Sequence, residues 1–351
     1  MVNLGELKEC DEEEFMDSSS GREPDHVAIS VDGKYRYIWR NSYDTSFDDN
    51  SSFAEVTVEV TVYNEEKICH SHDFQCPSVF LVPVREGVLL LASNDKLELR
   101  DFELSRCVRT FSELDSVKRL FPVSEDLVGC LAELDDDCWK VNILSVASAE
   151  IVLTTSVQGN AVTSIACNSQ FQFVACSREH TSYDDNDNDI TNVIIVTVAV
   201  WNKRQNLWKR SIITERGGYN ASALITRNDD LVVTWRTLDE GAGIHILNAT
   251  TGTALHSLLT DQHIIDCAFL SDGKHFVCCS SEDQIIRLFN VNSGVLISLI
   301  DIETHPYCLA ACLNQPLFAV GCKDNEIKLR VHVPEVKDSE RKDKRIKLQS
   351  Y

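Results

Sequence analysis

The chain is 351 residues long, 43% hydrophobic and 25% charged, and its 33 basic against 55 acidic residues leave a formal charge of −22. That balance opposes general nucleic-acid binding, which needs a positive surface to release phosphate counterions. No apolar run approaches the length of a membrane span, so no membrane insertion is expected.

Residues 1–25 begin "MVNLGELKECDEEEF" and lack the basic n-region and apolar core of a secretory signal. They read as an acidic, solvated segment. From residue 26 to 333, periodicity of 3.6 is nearly absent, and short runs of Val, Ile, Leu, Phe and Thr recur between Gly, Asp, Asn and Ser. The first run that sets the pattern is "EVTVEVTVYNEEKIC" from Glu55, preceded by a loop with Asp44, Asp48 and Asp49. "ASNDKLELRDFELSR" follows from Ala92, with Asp95 in its turn, and then "CWKVNILSVASAEIV" from Cys138, preceded by Asp135, Asp136 and Asp137. "VTVAVWNKRQNLWKR" from Val196 comes after the acidic stretch containing Asp184, Asp185, Asp187 and Asp189. "AGIHILNATTGTALH" from Ala242, "SSEDQIIRLFNVNSG" (280–294, with Asp283) and "GCKDNEIKLRVHVPE" from Gly321 (with Asp324) complete the series. The tail 334–351 is basic and reads as flexible, and Lys344-Arg345-Ile346-Lys347 matches a short nuclear-import pattern.

The ends of the repeated strand fall at Asn64, Asp101, Ser145, Asn202, Asn248, Asn290 and His332. Strands alone, recurring at forty-odd residues, are the mark of a four-stranded propeller blade. The expected fold is therefore all-β, a seven-bladed β-propeller of antiparallel four-stranded blades. Inner strands are expected to open near Val27, Val79, Val117, Val162, Ser222, Ile265 and Tyr307. The wider gap between Ser145 and Asn202 is read as one lengthened acidic loop. The seventh unit lacks an evident fourth strand. Either "VNLGEL" or "RIKLQS" is expected to supply it, with the N-terminal segment preferred, because closure removes an open sheet edge.

The 14 Cys lie mostly within apolar runs, as in "LVGCLAEL" around Cys130 and "HFVCCSS" around Cys278 and Cys279. Reduced Cys used as a small hydrophobe points to a cytoplasmic setting. Sequons at Asn50, Asn220 and Asn248 carry little weight without a secretory signal.

The stretch 263–300 resembles a WD repeat. It has the Ser-Asp-Gly turn, a Ser-rich second strand, Asp283 in the next turn and a strand ending Phe289-Asn290. The family's Trp-Asp is replaced there by Phe-Asn, and in the fourth blade by Trp201-Asn202. The family's Gly-His pair is missing throughout. The resemblance therefore implies a broken His–Ser–Trp network, with Asp95, Asp283 and Asp324 left to brace their turns. The degenerate blades also look like propellers attached to signalling ATPases of the apoptosome and NACHT type, which implies a sensor of a ligand or protein partner. The chain has no G-x-x-x-x-G-K-[ST] phosphate loop of its own.

Candidate chemistry is sparse. Cys69, His70, His72 and Cys76 offer metal-ligand types, but no second pair completes a tetrahedron. Asp185, Asp187 and Asp189 imitate the start of a calcium loop, yet Ile190 and Val196 stand where Gly and Glu are needed. Neither G-x-S-x-G nor H-E-x-x-H occurs. No catalytic residue, cofactor or metal is expected. Trp201-Asn202-Lys203-Arg204 is similar to a motif of cullin-type ubiquitin-ligase adaptors, with Asn in place of Asp. The favoured reading is a non-enzymatic interaction scaffold. Its acidic loops in blades one, three and four open on one face toward a Lys/Arg-rich protein. A propeller enzyme with a cofactor or metal in its channel is the competing class, and a ligase adaptor the narrower one.

Overall fold

Val79 and Leu81 pack toward the sheet before their own, whereas Val82 and Val84, on the same strand, pack toward the sheet after it. Successive side chains of a strand point to opposite faces, so a strand apolar in both registers must be covered on both sides. That requirement organises the whole molecule. The computed structural model describes residues 26–330, except for 44–55, 65–66, 77–78, 93–95, 112–113, 115–116, 136–137, 159–160, 185–189, 203–204, 215–220, 227–230, 237–241, 261–263, 281–282, 303 and 323–325.

Among the described residues the strands form seven sheets, six of four strands and the last of three, each in plain sequence order. All pairings are antiparallel. The inner strands are His26–Ile29, Val79–Val84, Val117–Pro122, Ala161–Cys167, Ala221–Ile225, Ile264–Phe269 and Pro306–Ala311, each opening within a residue of its expected place. The architecture is an all-β propeller of four-stranded antiparallel blades.

Its core lies between sheets. One apolar cluster joins each consecutive pair, from Tyr37 and Val60 against Leu81 and Leu90 round to Ile286 and Leu288 against Phe318 and Val320. A further cluster sets Val27, Ile29 and Ile38 of the first sheet against Cys308, Leu317 and Ala319 of the last. Each fully buried Val or Leu there stabilises by about 1.5–3 kcal/mol. The Cys312 thiol also donates to the Ser30 and Val31 carbonyls, both at 3.4 Å, and Gln315 donates to Asp32 O. The first and last sheets are thus directly joined.

The wide gap before Asn202 is not a lengthened loop. Gln172–Asp184 and Ile190–Asn202 stay paired without a break to Asp184↔Ile190. Thr181, Ser182, Thr191 and Asn192 carry the extended conformation past the inner strand, whose own pairing stops at Ala161↔Arg178. Polar residues hid this extension because they do not alternate with apolar ones. The segments expected to close the seventh sheet, the tail with Lys344–Lys347, and the marker His332 lie outside the described residues.

Candidate interaction surface

The turns between third and fourth strands of the second, fifth and sixth sheets share one device. Asn290 Oδ1 accepts from Ser293 N and Oγ, Asn248 Oδ1 from Thr250 N and Thr251 N, and Asp101 Oδ1 from Ser105 N. A residue with positive φ completes each turn: Gly294, Gly252 and Leu104. Asn and Asp suit this place because a short side-chain acceptor satisfies backbone amides two to four residues on.

The residue just before the turn stands where WD repeats carry Trp. Phe289 is stacked on Phe276 across the sheet, centroids 5.1 Å apart, and Trp201 is stacked on Phe173, also at 5.1 Å. In the first sheet Arg36 lies over the Tyr63 ring at 5.7 Å. Leu144 opposite Val128 and Leu247 opposite Val232 fill the same place with aliphatic contact. In the fourth and sixth sheets stacking therefore occupies the position of the family's Trp, and Trp201 Nε1 has no hydrogen-bond partner among the described residues.

The sixth sheet adds polar braces. His275 Nδ1 donates to Asp272 Oδ2 at 2.5 Å, and Asn290 Nδ2 lies 3.4 Å from His275 Nε2. Burial alone would raise the Asp272 carboxyl, but hydrogen bonds from His275 and from the Lys274 amide outweigh it and hold the group below its usual value. Asp283 pairs with Arg287, Nη1 to Oδ1 at 3.2 Å with a second bond from Nη2 to Oδ2, and the two side chains are only 15% and 13% exposed. The pair ties the turn before the third strand to that strand. Asp283→Ala removes both carboxylate acceptors of Arg287 in this sheltered place and is expected to lower stability by about 2–3 kcal/mol. Urea midpoints of D283A, R287M and the double variant check the coupling, which should appear as non-additivity.

Asp44, Asp48, Asp49, Asp136, Asp137, Asp185, Asp187 and Asp189 lie outside the described residues, as do Asp95 and Asp324. The strands that flank them are described. Asp135 ends the strand Leu127–Asp135 and Asp184 ends Gln172–Asp184, so both stand at the mouth of a connection between second and third strands. The element order puts 44–55 in the same kind of connection. In the first, third and fourth sheets the second strand runs past the last residue paired with the inner strand, to Tyr43, Asp135 and Asp184. At about 3.3 Å per residue these ribbons rise roughly 13, 10 and 20 Å. The corresponding connections of the fifth and sixth sheets carry Asp239, Glu240, Glu282 and Asp283, which sequence reading did not group with the others. Lys323 is the single basic residue in any of the seven connections. The signal was available as an acid at the same point of every repeat.

His70 and His72 share a face of the outer strand Lys67–Gln75, ring centroids 6.0 Å apart. His70 faces the Glu103 carboxylate at 3.5 Å, and His72 Nε2 is 2.9 Å from Glu103 O. Cys76 belongs to the apolar core between the first two sheets. The His pair thus joins neighbouring sheets, and no metal-ligand cluster occurs among the described residues. Lys203 and Arg204 fall outside them. No helix among the described residues is long and apolar enough to cross a membrane.

The family "WD domain, G-beta repeat" matches residues 252–290. That span includes the Asp272 turn, the Phe276–Phe289 stack and the Asn290 cap. The repeat match and the blade arrangement together support one class, a WD-repeat propeller. No curated protein matches the chain.

Proposed function

We propose that the chain is a non-enzymatic scaffold that takes a Lys/Arg-rich protein partner on the face formed by the connections between second and third strands. The observation behind this reading is that every such connection carries Asp or Glu. Three of them follow second strands that run beyond the inner strands. Antiparallel strands in plain order end every second strand at the same end of its sheet, which supports a shared face on which these charges add. A sensor role beside a signalling ATPase is the narrower form of the same reading. We also infer a ring of seven blades, supported by the apolar cluster joining the first sheet to the last.

The test is titration of a Lys/Arg-rich peptide against the full chain at 50 and 300 mM salt. Affinity should fall on the order of ten-fold or more over that range, because exposed charges are screened within a Debye length. Replacing Asp44, Asp48, Asp49 and Asp184–Asp189 carboxylates by amides should weaken low-salt binding by a similar factor. Equal affinity at both salts, or an unaffected variant, would refute the acidic-face reading.

A further inference from the structure

Three residues occupy the same place in the third, fourth and sixth sheets, two positions beyond the start of the inner-strand bulge: Arg119, Ser164 and Asp266. Each reaches the inner strand of the next blade. Arg119 donates to the Val162 and Thr163 carbonyls, Ser164 Oγ accepts from the Ala223 amide at 3.0 Å, and Asp266 Oδ2 accepts from the Leu309 amide at 2.9 Å. The same seam position is therefore filled by a cation that donates and by a hydroxyl and a carboxylate that accept.

We propose that Asp266 is a proton-operated clasp between the sixth and seventh sheets, which acid closes and neutral pH loosens. Its other oxygen accepts the Cys267 amide at 2.8 Å. The further titratable groups around it are thiols: Cys267 on its own strand, Cys279 on the second strand of the sheet, Cys278 beside both, and Cys308 on the neighbouring inner strand. Burial pushes the Cys267 and Cys279 thiols well up, and among the described residues neither they nor a cation supplies a counter-charge to the carboxylate. Among the described residues, two backbone amides are the hydrogen bonds that its carboxylate accepts, and the residue is half-buried.

Desolvation consequently outweighs those two hydrogen bonds and raises the carboxyl to about 6. With the seam open, the group meets water and returns to its ordinary value. The closed seam thus binds the proton more tightly than the open one, so protonation favours closure and deprotonation favours opening. A neutral carboxyl accepts more weakly, but the raised value already contains that loss. Between pH 7.5 and 5 the opening constant should fall about ten-fold.

Amide hydrogen exchange of the full chain, corrected for intrinsic rates, reads this at Leu309. Protection should rise about ten-fold from pH 7.5 to 5 in the wild type. Asp266→Ser installs the uncharged contact that Ser164 already makes in the fourth sheet, and should keep Leu309 protected with no such dependence. Asp266→Asn, which retains one acceptor, serves as the second variant and should also lose the dependence. A flat profile in the wild type, a fall in protection with acid, or an equal rise in wild type and variants would overturn the proposal.

Discussion

Phe276→Ala is expected to lower the unfolding free energy by about 3–5 kcal/mol, the usual cost of emptying a buried aromatic site. The ring is fully buried, stacked on Phe289 and edge-on to Phe269, and lies in the cluster between the fifth and sixth sheets. Collapse into the cavity is blocked because both walls are sheets whose hydrogen-bond registers are fixed. The stack occupies the position of the family's Trp, so its removal also loosens the strand that ends in the Asn290 cap. Urea unfolding should show a lower midpoint with unchanged slope. Phe276→Leu, which refills most of the volume, should cost markedly less. Equal losses for the two variants would show that stacking rather than volume carries the effect.

Gly87→Ala is the second large effect, expected at about 3 kcal/mol or more. Gly87 has φ +154° and ends the two-residue turn Arg85-Glu86. A Cβ there would stand 2.0 Å from the Arg100 carbonyl oxygen, a backbone atom that cannot rotate away. Gly273 supplies the control. Its φ is +65°, but an added Cβ meets nothing within 4 Å. Gly273→Ala should therefore cost only the conformational strain of about 1–2 kcal/mol. Thermal melts of the two variants separate close approach from conformation: a similar loss for both would remove the steric argument.

The blade arrangement was legible because its signals are local. Alternation within Ile285–Asn290 and a capping Asn, Asp or Ser at the strand end are readable from adjacent residues, and their spacing gives the period. The fourth sheet's ribbon was misread as loop because Thr181, Ser182 and Asn192 pair through their backbones, which leaves no apolar pattern. The stack of Phe173 on Trp201 needs a register between residues 28 apart, and register is invisible until turns are placed. Acidic residues were found where they cluster and missed where they stand in pairs, as at Asp239-Glu240. Asp266 gave one signal, a carboxylate inside an otherwise apolar inner strand, and only the position of Leu309 gives it a meaning.

The contact of Cys312 with the Ser30 carbonyl spans 282 residues, whereas each sheet is paired from neighbours in the chain. Closing a loop of that size costs about 5 kcal/mol of chain entropy beyond a constant, and almost none of it is recovered until the first and last sheets meet. Folding should thus proceed as an open arc of preformed sheets, with this junction formed late and lost early. Destabilising substitutions at Ile38 or Leu317 should then speed unfolding while leaving the refolding rate nearly unchanged.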